Sequence, residues 1–267
     1  MAFVRPRGVI TLTTDFGLSD HYVGTMKGVL LSRCPDASIV DISHEISPFS
    51  IYAGAYAVSQ AAPYFPSGSV HLVVVDPGVG TARRGIVAEA IGQIFVAPDN
   101  GVLSLILNRD PQAQVVEITN AKLWLDSPSS TFHGRDIFAP VAAALASGTA
   151  SLDDVGPPAG PVKILPDFLP IQVSQGVWSG KVLSIDHFGN VITNFEAAQF
   201  EGFRFQVTAN GHPIAEFHKT FGQAPAKVCF MYFGSSGYVE LGMNQMSAVE
   251  YLEIGPGDPL TLRQIPE

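Results

Sequence analysis

Apolar and polar positions along this 267-residue chain follow two different patterns, and the change falls past its middle. In the first half, short β-branched runs alternate with stretches of helical spacing. Residues 9–14, 38–42, 73–75, 85–90, 93–97 and 114–118 predict strands, several of them apolar without interruption. Between them, Val23, Met26, Leu30 and Leu31 recur at helical spacing over residues 21–33, with Lys27 as the polar exception. Further helices are predicted over 51–62, 102–107 and 137–146. Strands that read as continuous apolar runs are buried on both faces, so the pattern predicts a mostly parallel sheet flanked by helices. Residues 147–170 carry Gly-Pro-Pro, Gly-Pro and two further prolines and have no sustained period. Beyond them the pattern is β only, over 176–185, 203–209, 226–233, 237–241 and 258–264, with Asn210-Gly211 and Ser236-Gly237 as turns. The expected architecture is an N-terminal α/β domain (1–160), a linker (161–175) and a C-terminal antiparallel β-barrel-like domain (176–267).

Composition narrows the functional classes. Hydrophobic residues make up 46% and charged residues 15%, which describes a globular chain with a large core. The net charge of −9 argues against nucleic acid as partner, because phosphate binding needs clustered Lys and Arg. It suits a cationic small substrate, and equally a merely soluble surface. Cys34 and Cys229 lie far apart with no CxxC pattern, which predicts two buried free thiols and no disulfide framework. The first fourteen residues have too short an apolar run for a signal peptide, and no run reaches the ~18 residues of a membrane helix. The expectation is a cytoplasmic enzyme without a membrane partner.

Four places carry candidate chemistry. Val73-Val74-Val75 ends at Asp76, followed by Pro77-Gly78-Val79-Gly80. Open α/β sheets bind ligands at the carboxyl ends of their strands. Arg83, seven residues on, is near enough for the loop to fold it back onto Asp76; a strand-end turn with a surface salt bridge fits the same residues. Asp15 ends the first strand, placed for a hydroxyl contact or as a turn acid, and Ser19 or Asp20 can cap the helix that follows. His133-Gly134-Arg135-Asp136 opens a helix, where the dipole disfavours imidazolium. A neutral His133 there could accept a proton, or be held by backbone alone; Arg135 and Asp136 read as an internal ion pair and a first-turn acid. Asp186-His187-Phe188-Gly189-Asn190 offers an acceptor for an ammonium and an amide for a base edge, on residues that also simply favour turns. GxGxxG after a strand, GxxxxGK[ST], HExxH and GxSxG are absent. Asp15, Asp20, Asp76 and His133 could form a divalent-metal hydrolase site, though nothing has metal-ligand spacing.

Taken in order, Thr14-Asp15-Phe16-Gly17, Asp20-His21-Tyr22-Val23-Gly24, Val75-Asp76-Pro77-Gly78-Val79-Gly80, Pro98-Asp99-Asn100-Gly101, Thr131-Phe132-His133-Gly134-Arg135-Asp136 and Asp186-His187-Phe188-Gly189-Asn190 resemble one family. It is that of the S-adenosyl-L-methionine hydroxide adenosyltransferases, adenosine-forming hydrolases related to the fluorinase and chlorinase. The resemblance runs from about residue 9 to about residue 262. It implies an α/β domain, a β domain, and a homotrimer with active sites between subunits. It implies cleavage of S-adenosyl-L-methionine by water into adenosine and L-methionine, with no metal and no cofactor, the methionine compound being substrate. On this resemblance the triad falls on Asp76, Arg83 and His133, and the ribose-binding acid on Asp15. The acids at the methionine amino group fall on Asp20 and Asp186, the adenine-contacting residue on Asn190, and the aromatic beside the ribose on Phe49. The carboxylate site falls near Ser235 and Ser236. The fluorinase has Arg at the position of Ser236, so backbone amides at 235–237 are alternative holders of that carboxylate.

The substrate carries a sulfonium whose thioether leaves uncharged, so catalysis rests on in-line placement and on deprotonating water. Arg83 cannot be the base; it would position the water, with Asp76 orienting it and His133 or Asp76 accepting the proton. A halide-using relative and a nucleoside-binding protein without turnover are the competing readings. Against halide stands Asp76, whose carboxylate occupies the place of an uncharged Tyr in the fluorinase. Gly134 also lacks a hydroxyl the fluorinase uses there, although the chlorinase shares that feature.

Overall fold

The apolar runs of the first half pair into one six-stranded sheet in the computed structural model, which describes residues 8–265. Its elements are β1 (Val9–Thr14), α1 (Tyr22–Arg33), β2 (Ser38–Ser43), α2 (Ile51–Ala61), β3 (Val70–Val74), β4 (Gly85–Ala90), β5 (Gln93–Pro98), α3 (Ser104–Arg109), β6 (Gln114–Glu117), α4 (Ala139–Ser147) and α5 (Leu152–Val155). The strand order is β2-β1-β3-β5-β4-β6. β2, β1, β3 and β5 are parallel, and β4 pairs antiparallel with both β5 and β6, so β4 alone runs against the rest.

Both faces of the sheet are covered, as uninterrupted apolar strands require. Leu72 and Val74 of β3 pack on one side with Met26 and Leu30 of α1 and Val141 of α4. Val73 points to the other side, against Val58 of α2 and Ile106 of α3. His71 is fully buried within the sheet, its Nδ1 2.8 Å from Thr11 Oγ1 and its Nε2 2.9 Å from Gln93 Oε1. Its ring stacks on Phe95, and burial pushes its pKa down to about 4.

The chain divides between Leu165 and Pro166 into two compact units. Residues just before that point are fastened to the first unit. Arg84 Nη2–H donates to Pro161 O (2.7 Å), Lys163 N–H to Asp99 Oδ1 (2.8 Å), and Leu165 N–H to Ser104 Oγ (2.9 Å).

The second unit holds β7 (Ile171–Ser174), β8 (Val177–Ile185), β9 (Val191–Glu196), α6 (Ala197–Phe200), β10 (Phe205–Ala209), β11 (His212–Ile214), β12 (Cys229–Phe233), β13 (Tyr238–Met243), α7 (Ala248–Leu252) and β14 (Pro259–Gln264). They form an antiparallel sheet in the order β11-β10-β14-β8-β9-β13-β12, with β7 on β8. Met231 N–H donates to Glu216 O (2.7 Å) and His218 N–H to Met231 O (3.0 Å), which nearly closes the sheet into a barrel. β8 makes the corner: residues 177–181 pair with β14, and 182–185 with β9. Gly180 sits at that corner because a Cβ there would lie 2.4 Å from Asn194 Oδ1.

Several elements depart from the pattern reading. β7 lies in the stretch expected as linker, β9 and β11 had not been predicted, and α6 and α7 break a half expected to be β only. β11 contains Pro213, and β7 is exposed at every position, so neither has the periodic burial that marks a strand. The helix expected from residue 137 begins earlier, through a π turn over Gly134–Phe138. Of the two free thiols, Cys34 is buried as expected but Cys229 is only half-buried. The leader-peptide reading of the first fourteen residues falls in part on residues 1–7, outside the described residues. No described helix is long and apolar enough to cross a membrane.

Candidate active site

The loop after β3 does fold Arg83 back onto Asp76. Val79 N–H donates to Asp76 O (3.2 Å) and Thr81 N–H to Gly78 O (3.2 Å), closing two successive turns. Gly80 holds φ +76°, and a Cβ on it would lie 2.4 Å from Ser130 O, so only glycine lets this loop rest on the segment before His133. Asn100 steadies the strand end: its Nδ2–H donates to Val75 O (2.8 Å). Arg83 Nε–H then donates to Asp76 Oδ1 (2.9 Å) and Oδ2 (3.0 Å), and Nη2–H donates to Oδ2 as well. The two side chains are 5% and 10% exposed, which makes this a partly desolvated pair rather than a surface one. The Arg83 guanidinium also lies 5.0 Å from the Phe138 ring centroid.

His133 completes the group. Arg83 Nη2 is 3.0 Å from its Nδ1. Arginine has only hydrogens to offer, so Nδ1 accepts, and the neutral ring carries its proton on Nε2. Burial lowers the imidazole pKa, and the Arg83 charge lowers it further against the opposing charges of Asp76 and Asp136. The depression expected from sequence is present, but desolvation and Arg83 cause it rather than the dipole of a regular α-helix. Arg135 and Asp136 form the expected ion pair (Nε to Oδ1, 2.5 Å). Asp136 is buried and also accepts Ser129 N–H (2.7 Å), anchoring the segment before His133.

Asp76 and His133 line a cleft of roughly 470 Å³ in the first unit, and Asp15 and Phe49 line it with them. Asp15 Oδ2 accepts Phe49 N–H (2.9 Å); burial, with a smaller contribution from the charge of Asp76, raises its pKa. Phe49 holds φ +65° and is 72% exposed. An aromatic residue kept in the left-handed region and turned outward is a strained arrangement that marks functional sites. Phe16, Tyr22 and Phe132 form an aromatic wall of the same cleft, with ring centroids 5.2–6.0 Å apart. All three lie in motifs quoted above, but sequence reading gave them no role, because nothing in the spacing brings Phe132 to Phe16 and Tyr22.

Asp20 is not brought into this group; it is exposed and does not line the cleft. Nor does it or Ser19 cap α1, whose N-cap is His21, without a side-chain cap bond. The remaining candidates lie on the second unit. Asp186 Oδ1 accepts the N–H groups of Phe188 (2.9 Å) and Asn190 (2.8 Å), and its Oδ2 accepts Asn190 Nδ2–H (2.7 Å). This leaves Asn190 Oδ1 as an acceptor beside a second pocket of roughly 550 Å³, lined also by Phe188, Phe221, Met243, Gln245 and Met246. Ser235 is exposed at the β12–β13 turn. Ser236 O–H donates to Glu240 Oε1 (2.9 Å), a buried acid that sequence reading missed. Among the described residues, no three His, Cys, Asp or Glu side chains are placed to share a metal ion.

Comparison with known proteins identifies the family. The N-terminal domain model of the SAM hydroxide adenosyltransferases matches residues 10–156, and the C-terminal domain model matches 180–261. An (R)-S-adenosyl-L-methionine hydrolase of Thermus thermophilus is 40% identical over 257 residues, 93% of this chain and 97% of that protein. One from Salinispora tropica is 38% identical, over 96% and 98% of the two chains. A fluorinase of an Actinoplanes species is 30% identical, over 88% and 91%. The crystal structure of an uncharacterized conserved protein from Thermotoga maritima superposes with a TM-score of 0.84 at 37% identity, covering 95% of this chain and 99% of that one. The chain belongs to the SAM hydroxide adenosyltransferase family.

Proposed function

We propose that this protein hydrolyses S-adenosyl-L-methionine to adenosine and L-methionine, water attacking the ribose C5′. The observation that carries the reading is Arg83, bonded at once to Asp76 and His133 beside one cleft. The hydrolases named among its relatives support it. The oxygen of water bonds to C5′, the C5′–S bond breaks with its electron pair going to sulfur, and one proton is released. The leaving thioether is neutral, so no acid is needed for it, and the difficulty lies with the water. Arg83 fixes the acid and the imidazole and stabilises developing hydroxide. His133, with Nδ1 occupied by Arg83, directs its Nε2–H at the water oxygen. Asp76 Oδ1 receives one Arg83 bond and keeps a lone pair for the departing proton.

In this reading Asp15 and Phe49 hold the ribose, Asn190 reads the adenine, and Asp186 faces the amino group. Ser235 and Ser236 lie at the methionine end, and the second-unit residues of one subunit serve the cleft of another in a homotrimer. The reaction uses no metal and no cofactor, in the cytoplasm, without nucleic acid or membrane. Adenosine release from S-adenosyl-L-methionine, with and without EDTA, tests it. Release that persists in EDTA and disappears in Asp76→Ala, Arg83→Ala and His133→Ala is expected. A reaction abolished by EDTA and restored by a divalent ion refutes it, as does a fully active monomer in sedimentation.

A further inference from the structure

Glu240 is 8% exposed, and no step above uses it. It packs under the turn at 234–237, so closely that a Cβ on Gly234 would lie 1.8 Å from Glu240 Oε1. Hydroxyls meet both its oxygens: Tyr232 O–H donates to Oε2 (2.6 Å) and Ser236 O–H to Oε1 (2.9 Å). Burial raises the pKa of the carboxyl, the two hydroxyl bonds oppose that, and the charge of Asp186 adds to it.

A serine hydroxyl has one hydrogen and two lone pairs. Ser236 directs its hydrogen inward to Glu240, so outward it presents lone pairs alone. A substrate carboxylate at that oxygen would meet lone pairs backed by a buried acid. An ammonium would meet an acceptor polarised by that acid. Asp186 reinforces the preference: a carboxylate has about four lone-pair positions, and three protein donors occupy Asp186, leaving one for a further hydrogen. Glu240 and Gly242 share one face of β13, and a Cβ on Gly242 would lie 3.0 Å from Asn190 Oδ1, so this corner is continuous with the face proposed to read adenine.

We infer that Glu240, acting through Ser236, makes this corner a receptor for the ammonium of the substrate's side chain, and that an adenosyl sulfonium bearing an aminopropyl chain without a carboxylate is a second substrate. The inference rests on the proposed hydrolase function and replaces the carboxylate role of the Ser236 side chain, leaving a carboxylate the Ser235 hydroxyl and backbone N–H groups. Water would bond to C5′, the C5′–S bond would break toward sulfur, and the products are adenosine, 3-(methylthio)propylammonium and a proton. Glu240 is a positioning residue here, since it touches substrate only through Ser236.

The test measures kcat and KM for S-adenosyl-L-methionine, its decarboxylated (aminopropyl) analogue and its deaminated (carboxypropyl) analogue. The decarboxylated analogue is expected within about tenfold of the parent in kcat/KM. The deaminated one is expected to be about tenfold to hundredfold poorer, chiefly through KM, as loss of a charge-assisted hydrogen bond dictates. Glu240→Gln sets an amide N–H against one of the two hydroxyls. Ser236→Ala removes the acceptor and leaves the Tyr232–Glu240 bond in place, which covers the case in which Glu240→Gln does not fold. Both should narrow the preference for the ammonium-bearing analogue. Equal use of the deaminated analogue and the parent, or a preference unmoved by Ser236→Ala, overturns the inference while leaving the hydrolase intact. No adenosine from any of the three overturns the hydrolase reading and this inference with it.

Discussion

Asp76 and Arg83 should behave as one unit in stability and as two indispensable parts in turnover. Their side chains are 5% and 10% exposed and share three hydrogen bonds. Replacing one partner of such a pair strands a charge away from water and costs about 3–5 kcal/mol, whereas replacing both by apolar groups of similar size is often nearly neutral. Asp76→Leu and Arg83→Met should therefore each lower the unfolding free energy by about 3–5 kcal/mol. The double variant should fall much less, within about 2 kcal/mol of the parent, while all three release no adenosine. Urea unfolding followed by circular dichroism reads the first quantity, and chromatography of adenosine the second. His133 gives an independent sign. Its pKa should rise in Arg83→Met, which removes the depressing cation and leaves Asp76, and fall further in Asp76→Leu, which does the reverse; NMR titration of the imidazole distinguishes them. Additive losses in the double variant, or adenosine release within tenfold of the parent in any of the three, would refute the reasoning.

His71 should make the fold acid-sensitive. Its folded pKa of about 4 lies below the ordinary 6.5, so its contribution is complete above pH 6.5 and is lost as the pH falls toward 4, about 3 kcal/mol at 1.36 kcal/mol per unit. In His71→Leu the fall in stability between pH 6.5 and 4 should be shallower by that amount, and an unchanged slope contradicts it. Gly80→Ala should cost at least ~1–2 kcal/mol from φ +76° alone, more from the contact with Ser130 O, and should lower turnover by displacing Arg83. Gly24→Ala on the exposed face of α1, with nothing within 4 Å, should be neutral or stabilising by up to about 1 kcal/mol, and equal melting shifts would sink the comparison. Products formed in oxygen-18 water with chloride or fluoride present should be labelled adenosine; a dominant 5′-halo nucleoside would show that Asp76 does not exclude halide. Two like charges ~4 Å apart at an effective dielectric near 20 repel by ~4 kcal/mol, so the Asp76 carboxylate disfavours a halide beside it.

The sequence alone determined the layers and the order of the chemistry. Uninterrupted runs such as Val73-Val74-Val75 can be satisfied only between two apolar faces, so the covered sheet was legible, as was Asp76 at its edge. Six motifs in one order carried the family. The tertiary structure decided what depends on contacts distant in sequence. Arg83 lies seven residues from Asp76 but fifty from His133, and only folding sets Nη2 beside Nδ1 and thereby places the imidazole proton on Nε2. Asp20, the first residue of one of those motifs, stays exposed outside the cleft, because residue type does not fix direction at a helix entrance. Glu240 gave no signal, since a single acid in an alternating strand reads as an outward-facing residue; its burial comes from a near-closed barrel that turns that face toward Tyr232 and Ser236. Periodicity reports which side of an element is apolar, whereas the partner across the space is chosen by the path of the whole backbone.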